Sequence, residues 1–278
     1  MKLKSYLAGE WREGSGEGRA VHDAITGEQV CSVTSDGLNI SEAVNYARTK
    51  VGPSLRSMTF HDRANALKAM AKYLLSRKED FYSLSLKTGA TRSDGWIDIE
   101  GGIGTLFSFG SLVTREFPNS TVLVEGAMER LSRGGSFVGR HILTSKPGVS
   151  VHINAFNFPC WGMLEKIAPS LIAGVPVIVK PATPTAYLAE AMVKEIVGGN
   201  FFPEGSIQLI CGNVGYLFEN LNEQDVVTFT GSASTGKSLR MHSNIVTNSI
   251  PFNMEADSLN CAILGETVNP EDPEFELF

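Results

Sequence analysis

Residues 149–182 read VSVHINAFNFPCWGMLEKIAPSLIAGVPVIVKPA, and their pattern decides the fold. VSVHINA is short and rich in β-branched residues, which predicts a strand. Over 161–173, Met163, Leu164, Ile167, Ala168 and Leu171 recur at spacings of three and four, so they share one face of a helix. VPVIVKPA is a continuous apolar run, as expected of a strand buried on both faces.

The same rhythm continues toward the C-terminus. A helix is predicted over 185–197, a strand at SIQLICG (206–212), a short helix near 214–221 and a strand at VVTFTG (226–231). A helix over 234–242 and strands at SIPFNME (249–255) and LNCAIL (259–264) follow. Strand–helix alternation predicts an α/β fold, a Rossmann-like parallel sheet covered by helices on both faces. Such sheets bind ligands beyond the carboxyl ends of their strands. The loops of interest are therefore NAFNFP, KPATPT, CGNVG, TGSASTGK and MEADS.

Toward the N-terminus, residues 61–87 read as a helix whose stripe includes Leu67, Met70, Ala71 and Leu74. A second helix is expected over 93–113. Its GGIG fragment follows no strand, so close helix packing explains it better than a nucleotide loop. Residues 119–135 are polar and glycine-rich, and RHILTSKPGVSVHI (140–153) alternates around a Pro147-Gly148 turn signal. Three parts are expected: a helical part at 1–118, an extended hairpin region at 119–148 and the Rossmann-like part at 149–278.

The 278 residues are 42% apolar and 19% charged, a globular composition. A net charge of −6 gives no basic face for nucleic acid and no polybasic patch for a membrane. No apolar run approaches the roughly 20 residues of a membrane span, and no signal peptide is evident. A cytoplasmic setting is expected, with Cys31, Cys160, Cys211 and Cys261 as free thiols and no metal site.

Gly231 to Ser238 (GSASTGKS) satisfies the phosphate-loop pattern and stands between a strand and a helix. Read so, the chain would be a nucleoside triphosphatase. Only 40 residues follow Ser238 (278 − 238), with no convincing acidic residue for magnesium. The competing reading is a helix N-terminus, capped by Ser232 or Ser234, that receives a dinucleotide pyrophosphate.

Taken together, NAFNFPCW, VPVIVKPA, PEGSIQLICG, TFTGSASTG and MEADSLNCAIL resemble, in order and spacing, the first part of the aldehyde dehydrogenase superfamily. TGATRSDGWIDIEGGIGTLF and HINAFNFPCWGMLEK resemble the members of phenylacetate catabolism, where a hydratase domain follows the dehydrogenase. No trace of that second domain is present. The resemblance implies an aldehyde substrate, a CoA-linked one among the candidates, and a homo-oligomer paired through a hairpin near 120–150. It implies Asn157 as the oxyanion donor, Glu255 as the general base and Lys166 near the proton path. It further implies that Ile153, Phe156, Lys180, Thr183, Gly212, Phe229, Gly231 and Ser232 bind the cofactor. At Thr183, NAD-preferring members often carry a glutamate that would repel a 2′-phosphate. NADP is therefore expected, with NAD second.

Three departures accompany the resemblance. Asp257 and Ser258 replace two glycines, and Gly162 replaces a larger side chain of the substrate tunnel. The family's nucleophilic cysteine lies tens of residues beyond the glutamate, whereas 23 residues follow Glu255 (278 − 255). Among these only Cys261 is a cysteine, and a position in an apolar strand would make it inert. Cys160 lies near Asn157 but does not match the nucleophile's motif. The expectation is a truncated chain without its catalytic domain, inactive alone. A relic that only binds dinucleotide is the alternative.

Overall fold

The structure, a computed structural model, describes residues 1–261, 263–272 and 275. Its strands are β1 (Lys4–Leu7), β2 (Glu10–Glu13), β3 (Arg19–His22), β4 (Gln29–Val33), β5 (Leu123–Arg130) and β6 (Val138–Leu143). They continue with β7 (Ser150–Ile153), β8 (Val177–Lys180), β9 (Ile207–Leu209), β10 (Val226–Gly231) and β11 (Phe252–Ala256). The main sheet runs β11-β10-β7-β8-β9-β1-β2. Its first five strands are parallel, and β1 and β2 extend it antiparallel. The expected α/β class with a parallel-dominated sheet holds.

The α-helices are α1 (Ile40–Tyr46), α2 (Gly52–Ser57), α3 (Phe60–Ser76), α4 (Lys78–Ser85), α5 (Arg92–Gly95) and α6 (Gly102–Glu116). The remainder are α7 (Trp161–Ile172), α8 (Ala186–Gly199), α9 (Ala233–Arg240) and α10 (Ser243–Thr247). Alternation along β8 divides the core. Val177 and Val179 pack with α3, α6, α7 and α8, while Ile178 packs with α1 and α10 on the other face.

Several expectations change. The helix expected over 61–87 breaks at Arg77, between α3 and α4. The helix expected over 93–113 is longer and passes through a π turn, Trp96–Gly101, before α6. Side chains at Gly101 and Gly102 would collide with Trp161, so these two glycines permit the close approach of α6 to α7; Gly104 faces open space. The helix near 214–221 reduces to a 3-10 turn, Phe218–Asn220.

Residues 1–118 are not wholly helical, because they begin with four strands. The β1–β2 turn is Ala8-Gly9, both at positive φ (51° and 87°). This suits a two-residue hairpin, but alanine in place of the usual Asn or Asp conceals it. The strand expected at LNCAIL includes Ala262, outside the described residues. Leu259, Asn260, Cys261, Ile263 and Leu264 are not in strand, and Leu259 and Ile263 are exposed. β11 is the edge of the sheet, so no described neighbour offers this segment a ladder.

Candidate active site

Strand register assembles the site. Ile153 at the end of β7 lies beside Lys180 on β8 and Phe229 on β10, and Thr230 lies beside Glu255 on β11. The loops leaving these ends enclose a cleft of about 1230 Å³, somewhat larger than the roughly 300–1,000 Å³ of a common small-molecule site. Ile153, Phe156, Asn157, Lys180, Thr183, Phe229, Gly231, Ser232 and Glu255 all line it. A separate hollow of about 80 Å³ beside Tyr6 and Phe201 is too small for a nucleotide.

The loop between β7 and α7 carries Asn157, which is exposed, as is Phe156. Its anchor was not anticipated. Cys160, the N-cap of α7, provides no side-chain cap. The first amides of α7 instead donate to Asp98 Oδ1 from the π turn, Cys160 N at 3.0 Å and Trp161 N at 2.8 Å. Burial pushes the Asp98 carboxyl up to about 6, against the downward pull of these amides. Asn154 is buried on the wall of the cleft, and neither Oδ1 nor Nδ2 has a hydrogen-bond partner. An orphaned buried amide at this place suits a polar ligand.

Lys180 is half-buried and has no acidic partner within ion-pair distance among the described residues. Burial lowers its pKa. Thr183 opens the following 3-10 turn, Thr183–Thr185. Ser232 caps α9, accepting from Thr235 N at 3.3 Å. Asp257, at φ 58°, accepts from Ala233 N at 2.9 Å and so places a carboxylate on the same helix N-terminus. A dinucleotide fits these groups: a cation without an acidic partner, a capped helix start and an unpaired amide.

Two expected residues lie off the cleft wall. Gly212, at φ 134°, is packed against Ser35, where any side chain would strike the Ser35 backbone. Lys166 is nearly buried, and its Nζ donates to Gly162 O and Glu165 Oε1, both at 3.0 Å. Glu165, which does line the cleft, also accepts from Trp161 Nε1 at 3.0 Å. Glu255 is exposed rather than buried, since β11 is an edge strand; Thr230 Oγ1 donates to it at 3.2 Å.

Cys160 is buried with its thiol pushed well upward by burial and by Asp98, so it is a poor nucleophile. Cys261, expected to be inert in an apolar strand, is exposed and outside any strand. The triphosphatase reading of 231–238 loses its geometry. A single residue, Ser232, separates β10 from α9, and Lys237 is exposed a turn inside the helix. No extended backbone cradle for phosphates exists there.

The aldehyde dehydrogenase family matches residues 11–272. The chain belongs to that family. It is 44% identical over 278 residues to a 3,4-dehydroadipyl-CoA semialdehyde dehydrogenase of Aromatoleum evansii, covering 100% of this chain and 54% of that protein. It is 28% identical over 244 residues to a D-glyceraldehyde dehydrogenase (NADP(+)) of Picrophilus torridus, covering 84% and 46%. Among solved structures, an E. coli NADP dependent enzyme superposes with a TM-score of 0.77 at 21% identity, over 92% of this chain and 52% of the other. A 3,6-anhydro-L-galactose dehydrogenase in complex with NAP gives 0.76 at 20%, over 93% and 52%. The chain spans about half the length of the curated relatives it matches.

Proposed function

We propose that this chain supplies the cofactor-binding part of an NADP-dependent aldehyde dehydrogenase. Its substrate is a CoA-linked semialdehyde, oxidised to the carboxylic acid in aromatic (phenylacetate) catabolism. The observation that carries the reading is the gathering of Asn157, Lys180 and Glu255 around one cleft by the ends of parallel strands. The Aromatoleum relative supports the substrate class.

In this reading the Asn157 amide donates to the oxyanion formed when a thiolate adds to the aldehyde carbon. Glu255, exposed to water in the cleft, takes the proton of the water that hydrolyses the resulting thioester. Lys166 acts through Glu165 and the first turn of α7. Ile153, Phe156 and Phe229 form the apolar walls for the cofactor, Lys180 and Thr183 hold its ribose phosphate end, and Gly231 and Ser232 receive the pyrophosphate. Bound NADP would accept the hydride. We assign the nucleophile to neither Cys160 nor Cys261, but to the part of the family domain beyond the residues matched here.

A Cβ at Gly162 would meet only the Lys166 Nζ, at 3.8 Å. This opening on the cleft suits a long substrate. The exposed apolar residues of the β5–β6 hairpin, among them Met128, Phe137 and Ile142, support pairing of protomers through it. The four described free thiols suit a reducing, cytoplasmic setting.

Titration calorimetry of this chain and of Lys180→Ala with NADP and NAD tests the reading. NADP should bind more tightly than NAD, and Lys180→Ala should weaken NADP. A tenfold preference for NAD would refute the cofactor assignment. Tight magnesium-ATP binding without dinucleotide binding would refute the reading as a whole.

A further inference from the structure

Arg19 is the first residue of β3, outside the main sheet. The β3–β4 hairpin packs on the turn Thr183–Thr185, and Arg19 lines the same cleft as Ala182, Thr183 and Pro184. It is exposed there. Among the described residues no carboxylate lies within ion-pair distance of it, so its charge is free to meet a ligand in the cleft.

Lys180 is likewise without an acidic partner, and burial disfavours its charge. Two unneutralised cations and the Thr183 hydroxyl therefore share one stretch of wall. A wall of this kind concentrates positive potential and suits a dianion more than a neutral diol. The guanidinium also presents a planar fork that matches two oxygens of a phosphate, which an ammonium cannot do.

We infer that Arg19 is a specificity-determining residue that grips the 2′-phosphate of NADP, delivered to the cleft by an N-terminal hairpin rather than by the Rossmann-like strands. The inference rests on the NADP reading above. Lys180 and Thr183 meet the ribose from the sheet side, and Arg19 closes over it from β3.

The test is calorimetry of this chain, Arg19→Ala and Arg19→Lys with adenosine 2′,5′-bisphosphate, NADP and NAD. Arg19→Ala should weaken the bisphosphate and NADP about tenfold, as for loss of a charge-assisted contact, and leave NAD unchanged. Arg19→Lys should fall between. Losses shared equally with NAD, or no loss, overturn the inference while a wild-type preference for NADP leaves the broader reading standing. A wild-type chain that binds NAD as tightly as NADP overturns the inference before any variant is made, and a tenfold preference for NAD overturns the NADP reading as well.

Discussion

Two helices begin at the rim of the cleft, and their first turns are satisfied in opposite ways. α7 lacks a cap of its own and is held by Asp98, a carboxylate from 62 residues earlier that lies within the core. α9 is capped by its own neighbour, Ser232, and by Asp257, both at the surface. The first arrangement ties the end of the exposed Asn157 loop to the packed interior. The second leaves a positive helix end where a ligand anion can take the place of a carboxylate. One N-terminus is built to stay, the other to be exchanged.

Asp98→Ala should produce the largest effect. It strands the amides of Cys160 and Trp161 in the interior, and buried donors without acceptors cost about 1–3 kcal/mol each. Urea unfolding at pH 7.5 should show a loss of about 3–4 kcal/mol, with a smaller loss for Asp98→Asn, which keeps an acceptor oxygen. Equal stability of all three would mean that α7 does not depend on this anchor.

The same carboxyl gives a pH signature. Its folded-state value of about 6 lies above the ordinary 3.8. The protonation-linked part of its stability is full below about pH 4 and is lost as pH rises through 6, while the contacts to the two amides persist. The shift corresponds to about 2–3 kcal/mol. His152 opposes it in that window: burial, with a smaller contribution from Lys166, lowers its pKa to about 3. Stability tied to His152 is therefore present above the ordinary histidine value and lost as pH falls toward 3. The Asp98 contribution is isolated by subtracting the Asp98→Asn curve from wild type. That difference should decline between pH 4 and pH 6, and a flat difference would contradict the assignment.

Ser232→Ala should cost about 1 kcal/mol, the usual worth of an N-cap. The loss should be confined to α9 in amide exchange, leaving the strands of the sheet protected as before. A loss spread over α7 as well would erase the distinction between the two helix starts.

The contrast also explains what could be read from the chain. Ser232 stands beside the helix it caps, between a run of β-branched residues and a small-residue turn, so local sequence shows it. Asp98 acts on amides that only the fold brings near, and nothing in WIDIEGG announces it. The ends of β7, β8 and β10 were legible because each pairs an apolar run with a polar stop. The N-terminal strands were not, since β1 and β2 have four residues apiece and a turn that lacks its usual asparagine. SIPFNME reads as a strand that ends in Glu255, and its sequence does not distinguish an edge strand from a central one. Burial, however, depends on a neighbour that an edge strand does not have.

The smallest effect tests the exchangeable end directly. Asp257 sits in left-handed backbone and its carboxylate accepts from Ala233 N, where the proposed pyrophosphate would lie. Asparagine tolerates the same backbone and keeps one acceptor, so Asp257→Asn removes the charge and little else. A single charge at a helix N-terminus is worth about 0.3–1 kcal/mol, so NADP should bind this variant about two- to fivefold more tightly at low salt. The gain should shrink as added salt screens it. Calorimetry at two ionic strengths would show both. Weaker binding instead would mean that the carboxylate shapes the loop for the cofactor and does not compete with it. α9 would then be as fixed as α7, and the difference between the two helix ends would lie only in their burial.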